Sequence, residues 1–424
     1  MSTALNTDRY ELTMLQAALK SGKAQRKCVF EVFTRQLPAG RRYGVVAGTG
    51  RVLEAIQNFR FEEKELDFLR ANSVVDESTL TWLANYRFSG NVFGYREGEL
   101  YFGQSPVLTV EGSFAEAVIL ETVILSILNY DSAVASAAAR MKSVSAGRRL
   151  IEMGSRRAHE SAAVAAARAS FIAGFDATSN LAAGAQYGIE TAGTSAHAFT
   201  LLHDTEEQAF QAQLESMGTE TTLLVDTYDV KNAVATAVRL TDGKVRAVRL
   251  DSGDLATSAV EVRRQLDDLG AAQTKITVTN DLDEYTIAAL AIAPIDSYGV
   301  GTSLVTGSGH PTAGFVYKLV AHSDNGEWVD VAKTSKLKTN RGGKKHASRV
   351  LENGVAKSEL ISGEAQAGRV LQVPMISNGE IAIEYLGIQG VLRAREHHRE
   401  AISELPAGAL RLSKGEPAIP VEFI

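Results

Sequence analysis

From residue 155 to residue 302 the chain repeats one phrase: an apolar run, a tight cluster of Gly, Thr, Asp and Asn, then an amphipathic stretch. The clusters are Phe175-Asp176-Ala177-Thr178-Ser179-Asn180, Gly193-Thr194-Ser195-Ala196-His197, Asp226-Thr227-Tyr228-Asp229, Asp251-Ser252-Gly253-Asp254, Thr279-Asn280-Asp281 and Gly299-Val300-Gly301-Thr302. Read as strands that end in polar loops and feed helices, they recur at roughly the 20 to 30 residues of βα units in a parallel barrel. Polar residues at the carboxyl ends of such strands converge on one mouth, where the chemistry is expected. Helix N-capping alone would account for Ser179, Asp229 and Ser252. It does not account for Val245-Arg246-Ala247-Val248-Arg249-Leu250, which sets an arginine two residues before Asp251. Alternate strand residues share a direction, so Arg249 and Asp251 are expected to point the same way.

The flanks read differently. Residues 28–34 alternate like a strand, residues 61–69 like a helix, and residues 88–110 like short strands punctuated by Gly90, Gly94, Gly98 and Gly103, with Gly112 just beyond. An Ala-rich helical pattern follows from residue 114 to about 148. Past residue 315, strands at 315–321 and 328–332 flank Asp324-Asn325-Gly326, a hairpin signal. Each end of the chain is thin for a core of its own. The expected organisation is an α+β domain of residues 1–113 plus 316–424 around an α/β barrel of residues 114–315.

Composition narrows the possibilities. A chain of 424 residues, 45% hydrophobic and 22% charged, is long enough for two cores. A net charge of -6 argues against a nucleic-acid partner. One cysteine, Cys28, excludes an internal disulfide framework and a multi-cysteine zinc site. Asp8 and Glu11 interrupt the start before an apolar targeting core forms, and Glu116, Glu121, Asn129 and Asp131 mark residues 114–139 as a buried helical region rather than a membrane span. Cytoplasm is the expected compartment.

Candidate chemistry gathers at the strand ends. Gly299-Val300-Gly301-Thr302 offers backbone N–H groups and a hydroxyl to a phosphate. Asp226, Asp229, Asp251 and Asp254 could hold ribose hydroxyls, or magnesium through water, with Arg249 or a cation offsetting their charge. These features point to a phosphorylated sugar, with a metal-bound diphosphate as one form. Gly154-Ser155-Arg156-Arg157-Ala158-His159 is either a solvated helix start or an anion clamp of paired guanidinium groups. Asn6-Thr7-Asp8-Arg9-Tyr10-Glu11-Leu12-Thr13-Met14 lets Thr7 or Asp8 cap a helix that projects Tyr10.

Five co-linear segments, namely residues 6–14, Gly154-Ser155-Arg156-Arg157-Ala158, Gly193-Thr194-Ser195-Ala196-His197, Leu250-Asp251-Ser252-Gly253-Asp254-Leu255 and Tyr298-Gly299-Val300-Gly301-Thr302, resemble those of nicotinate phosphoribosyltransferases. The resemblance implies an irregular, TIM-like α/β barrel of the type II phosphoribosyltransferase fold, packed with an α+β domain formed by both chain ends. It implies an enzyme that joins nicotinate to phosphoribosyl diphosphate for NAD salvage. ATP hydrolysis would be coupled through a phosphohistidine at His197, which groups such enzymes with ligases, and Mg2+ would be the metal. Carried over, Asp251 is catalytic. Asp8, Tyr10, Arg156, Arg157, Thr194, Arg249, Ser252, Gly253, Gly301 and Thr302 bind substrate, and Asp226 and Asp254 are metal-facing. A homodimer is implied, with Tyr10 completing the neighbour's site. Met153 stands where the family pattern leads one to expect an aromatic residue, with Phe175 as a substitute wall for the ring.

Other residues carry less. His397-His398 lies in a charged stretch that reads as a solvated helical face, and Gly342-Gly343-Lys344-Lys345-His346 as an exposed basic turn or a contact for ATP phosphates. His203 and His310 could approach the mouth, without metal spacing. A nicotinamide or quinolinate phosphoribosyltransferase would share the fold, the latter needing a more basic pocket. A non-catalytic nucleotide sensor would have lost His197 or the Asp251 cluster, and an isomerase or aldolase barrel would show a lysine or glutamate at a strand end, of which these clusters have none.

Overall fold

The computed structural model describes residues 2–333 and 341–424. The chain divides into two compact units, Met1–Ser136 with His310–Ile424, and Ala137–Gly309. The first boundary lies inside a helix, Glu121–Val144, and not at residue 113 as the change of pattern suggested.

In the unit built from both ends, strand Lys27–Thr34 is an interior strand of a seven-stranded antiparallel sheet. It pairs with Phe315–Asp324 on one side and Leu108–Ser113 on the other, so residues nearly 300 positions apart are neighbours, Cys28 opposite His322. The C-terminal segment thus folds back as expected. The predicted hairpin joins Phe315–Asp324 to Glu327–Asp330, and Asn325 and Gly326 take φ of 50° and 89°, the left-handed pair that a tight two-residue turn requires. The predicted helix at residues 61–69 is observed at Glu63–Ala71, opened by a capping box between Glu62 and Glu65.

A second, four-stranded sheet in this unit encloses a charged core. Arg349 is fully buried between Glu359, at 3.0 Å, and Glu99, at 3.8 Å. Glu359 also accepts from the Tyr95 hydroxyl at 2.7 Å, and Glu99 from Arg369 at 2.6 Å and from His397 at 2.9 Å. Burial raises the Glu99 carboxyl, but the bonds from His397 and Arg369 and the charge of Arg349 outweigh it and hold it well below the usual range. The two histidines are therefore not a solvated face: His397 is 14% exposed on Glu99, and His398 is buried with its pKa lowered to about 4 by desolvation. Lys345 of the expected exposed turn is likewise 8% exposed and bound to Glu31 at 2.9 Å, and Lys344 binds Glu111.

The helical stretch Phe114–Val144 is long and apolar enough to cross a membrane, yet 61% of its most apolar window is buried within the protein. Its charges have protein partners, Asp131 to Arg51 at 2.6 Å and Arg140 to Glu284 at 3.0 Å, as in a core helix.

In the Ala137–Gly309 unit, six parallel strands run in the order Ala177–Thr178, Arg149–Glu152, Ser297–Val300, Lys275–Val278, Ala247–Leu250, Thr222–Leu224. Thr191 adds a parallel bridge beyond Thr178. Each of the six strands leads directly or through a loop into a helix, which is the βα repeat that the sequence phrase announced.

Removing one partner of a buried ion pair strands the other. Glu359→Ala is expected to lower unfolding free energy by about 3–5 kcal/mol, because buried Arg349 loses its nearer carboxylate and keeps Glu99 at 3.8 Å; urea unfolding that matches the parent within 1 kcal/mol (about one part in ten of a typical domain's stability) would show that this charge core is dispensable.

Candidate active site

The loop at residues 193–197 ties one end of the six-stranded sheet to the other. Thr191 continues the sheet beside Thr178, and the residues after it reach the strands at the opposite end. Arg249 Nη1 donates to Thr194 Oγ1 at 3.0 Å and to the Ser195 carbonyl at 3.3 Å, while Arg249 Nε donates to Thr279 Oγ1 at 3.0 Å and Nη2 pairs with Asp251 at 3.2 Å. The expected common direction of Arg249 and Asp251 is thus observed. Thr279 in turn donates to Asp251, so one arginine and one threonine fix that carboxylate.

Asp226, just beyond strand Thr222–Leu224, is the second anchor. Its side chain is only 3% exposed. One oxygen faces His197 Nε2 at 3.2 Å; the other accepts from the Asp251 backbone N–H and the Ser252 hydroxyl, both at 2.7 Å. Ser252 is therefore held by Asp226 and is not a cap. The cap of helix Leu255–Asp268 is Asp254, which accepts from Ala256 N, Thr257 N and Thr257 Oγ1 at 3.1, 3.2 and 2.9 Å; the Thr257 N–H is the main cause of its lowered pKa. Asp229 caps Val230–Thr241 as expected, and Asn180, not Ser179, caps Leu181–Tyr187.

These assignments leave the acidic cluster no shared cation cage. Among the described residues no group of three or more His, Cys, Asp or Glu could hold a metal ion. Asp226 accepts from three donors and Asp254 caps its helix.

The other strand ends crowd together through glycines. A Cβ on Gly154 would lie 2.2 Å from Val305 Cγ1 and 3.1 Å from the Gly301 carbonyl, so the close approach of the two loops needs a glycine at 154. Gly301 precedes the short helix Thr302–Val305, with Thr302 exposed. Arg156 and Arg157 stand exposed on a 3-10 turn, Ser155–Arg157. Met153 points inward, where a Cβ on Gly299 would meet its Sδ at 2.6 Å; Phe175 is fully buried, which removes it as a wall for a ring. Gly253, at φ 76°, turns the loop between Ser252 and Asp254.

One residue was missed. Glu152 ends its strand fully buried, accepting from the Gly154 N–H and the Thr178 hydroxyl, and burial raises its pKa. A strand-end glutamate thus exists, but it bridges two adjacent strand ends. The signal was a lone acidic residue in Arg149-Leu150-Ile151-Glu152-Met153-Gly154, directly before the arginine motif. His203 bonds the Phe199 carbonyl at 2.8 Å, one turn back in its own chain.

In the other unit, Asp8 is at the N-cap position of helix Arg9–Lys20 without a side-chain cap bond. Tyr10 is 46% exposed on its first turn; burial and then Glu121 push its hydroxyl up to about 12.

A parallel sheet whose strand ends collect a guanidinium, four fixed aspartates, a histidine and paired glycine loops defines a barrel of the type II phosphoribosyltransferase fold. The profile of the nicotinate phosphoribosyltransferase (NAPRTase) N-terminal domain matches residues 5–129, and that of the nicotinate phosphoribosyltransferase (NAPRTase) family residues 148–360. A nicotinate phosphoribosyltransferase of Mycobacterium tuberculosis (strain ATCC 25618 / H37Rv) is 52% identical, over 99% of this chain and 95% of that protein. One of Bacillus subtilis (strain 168) is 38% identical, over 84% and 75%. Among solved structures, human nicotinic acid phosphoribosyltransferase superposes with a TM-score of 0.83 at 25% identity, over 98% of this chain and 97% of that one. A nicotinate-nucleotide pyrophosphorylase from Pyrococcus furiosus does so with 0.77 at 25%, over 95% and 96%. The chain belongs to the nicotinate phosphoribosyltransferase family.

Asp226→Ala removes the acceptor for the Asp251 amide. Exchange of that amide is expected to speed up by about 10- to 100-fold, the equivalent of roughly 1–3 kcal/mol for an orphaned donor; unchanged protection by mass spectrometry would mean that Asp226 does not hold the loop.

Proposed function

We propose that this protein transfers the phosphoribosyl group of phosphoribosyl diphosphate to nicotinate, giving nicotinate mononucleotide and diphosphate, as a step of NAD salvage in the cytoplasm. The observation that carries the reading is the Arg249–Asp251–Asp226–His197 chain of contacts at one mouth, in a member of this family.

The bond change sets the tasks. As the anomeric carbon parts from diphosphate, positive charge grows on the ribose and negative charge on the leaving group. Asp251, fixed by Arg249 and Thr279, accepts from the sugar hydroxyls with Ser252 and Gly253 beside it. Arg156 and Arg157, with the backbone N–H groups at Gly301 and Thr302, meet phosphate oxygens. Mg2+ arrives with the diphosphate as part of the substrate. The pyridine nitrogen is itself the nucleophile, so no general base is needed. Arg249 and Thr194 face the nicotinate carboxylate.

His197 is assigned the phosphoryl acceptor. With Nε2–H donating to Asp226, Nδ1 carries the lone pair that attacks the terminal phosphorus of ATP; the P–N bond forms as the bond to ADP breaks. The active form is a homodimer in which the exposed Tyr10 of one protomer stacks on the ring in its partner's site.

Purified protein given phosphoribosyl diphosphate and magnesium is expected to form mononucleotide from nicotinate, faster with ATP, and not from nicotinamide or quinolinate; turnover of nicotinamide alone would overturn the assignment. His197→Ala is expected to abolish stimulation by ATP while slow ATP-independent transfer persists, and intact stimulation in that variant would take His197 out of the mechanism.

A further inference from the structure

The interior of a parallel barrel is ordinarily filled by layers of bulky side chains. Here several cavity-facing strand positions carry small residues, Thr222, Ala247, Thr277 and Ser297, beside Ile151 and with Gly193 at the side, and a cavity of about 440 Å3 remains. Its lining is continuous from one end of the strands to the other. At the carboxyl ends it includes Met153, Thr194 and Arg249, the residues that face the mouth. At the amino ends it includes Arg149, Arg246 and Lys275 among Glu190, Glu220 and Asp296.

The charges at that far rim are unevenly matched. Arg149 pairs with Glu190, and Lys275 with Asp296 at 3.2 Å. Arg246 is exposed, and none of the hydrogen bonds or ion pairs of the described residues involves its side chain; Arg149 Nε is buried with no acceptor. A passage with small walls, a spare guanidinium at its outer end and Arg249 at its inner end suits a small planar carboxylate. The volume is at the lower end of that of ligand pockets, too small for a sugar diphosphate and a ring together.

We propose that this cavity is a second way into the site, by which the aromatic acid reaches Arg249 and Thr194 from the amino-terminal rim of the strands while the phosphorylated sugar occupies the mouth. The inference rests on the proposed transferase reading and adds a route to it. A donor bound across the mouth would then leave the acceptor's path open, so the two substrates would bind in either order.

The test uses the full-length enzyme, Arg246→Glu to repel an anion at the rim and Thr222→Trp to narrow the passage, each confirmed as folded by circular dichroism. Nicotinate kcat/KM is expected to fall about tenfold in both, with the KM of phosphoribosyl diphosphate unchanged; an opposed charge of this kind acts chiefly on the association rate. Stopped-flow binding of nicotinate to enzyme preloaded with phosphoribosyl diphosphate should slow by the same factor. Unchanged nicotinate kinetics in both variants, or equal losses for both substrates, would overturn the route. A parent enzyme that makes no nucleotide from nicotinate would overturn the transferase reading itself, and that result is obtained before any variant is compared.

Discussion

A sheet of six parallel strands with two free edges cannot by itself make a closed mouth, and the contact that supplies closure here is a side-chain one. Arg249 and Asp226, on adjacent strands at one edge, take hold of residues 194–197, which extend from the other edge through Thr191. Because neither anchor is much exposed, these bonds form in a medium of lower dielectric than water and are correspondingly firm. The same two groups orient Asp251, so closure of the mouth and placement of the Asp251 carboxylate are coupled. A change at either anchor would alter both.

The carboxylates of the mouth show how a charge-rich cleft stays foldable. Each has a distinct set of donors: Asp251 has Arg249 and Thr279, Asp226 has His197, the Asp251 amide and Ser252, and Asp254 has the first turn of its helix. Like charges that would repel if they shared one site are thereby separated and individually satisfied. Among the described residues no group of three or more His, Cys, Asp or Glu is placed to hold a metal ion.

Much of this was legible in the chain. The repeat of apolar run and polar cluster fixed the strand ends, and the two-residue spacing of Arg249 and Asp251 gave their shared direction, since both follow from local periodicity. The Asp-Asn-Gly hairpin was readable for the same reason. What escaped were long-range facts. Ser252 looks like a cap until Asp226 is brought beside it, and Glu152 looks like a strand residue until Gly154 and Thr178 meet it. His397 and Lys345 sit in charged stretches that suggest solvent, and only their distant partners, Glu99 and Glu31, explain their burial. No window of sequence contains both members of such a pair.

The interior strand Lys27–Thr34 has one neighbour made early, Leu108–Ser113, and one made late, Phe315–Asp324. During synthesis at about 5–20 residues per second, the latter leaves the ribosome many seconds after the former, with the whole Ala137–Gly309 unit in between. The barrel strands are contiguous in the chain and can assemble as they emerge. The first residues translated must wait with an open sheet edge, exposed to any extended peptide in the cell, until the strand beyond the whole Ala137–Gly309 unit has been made.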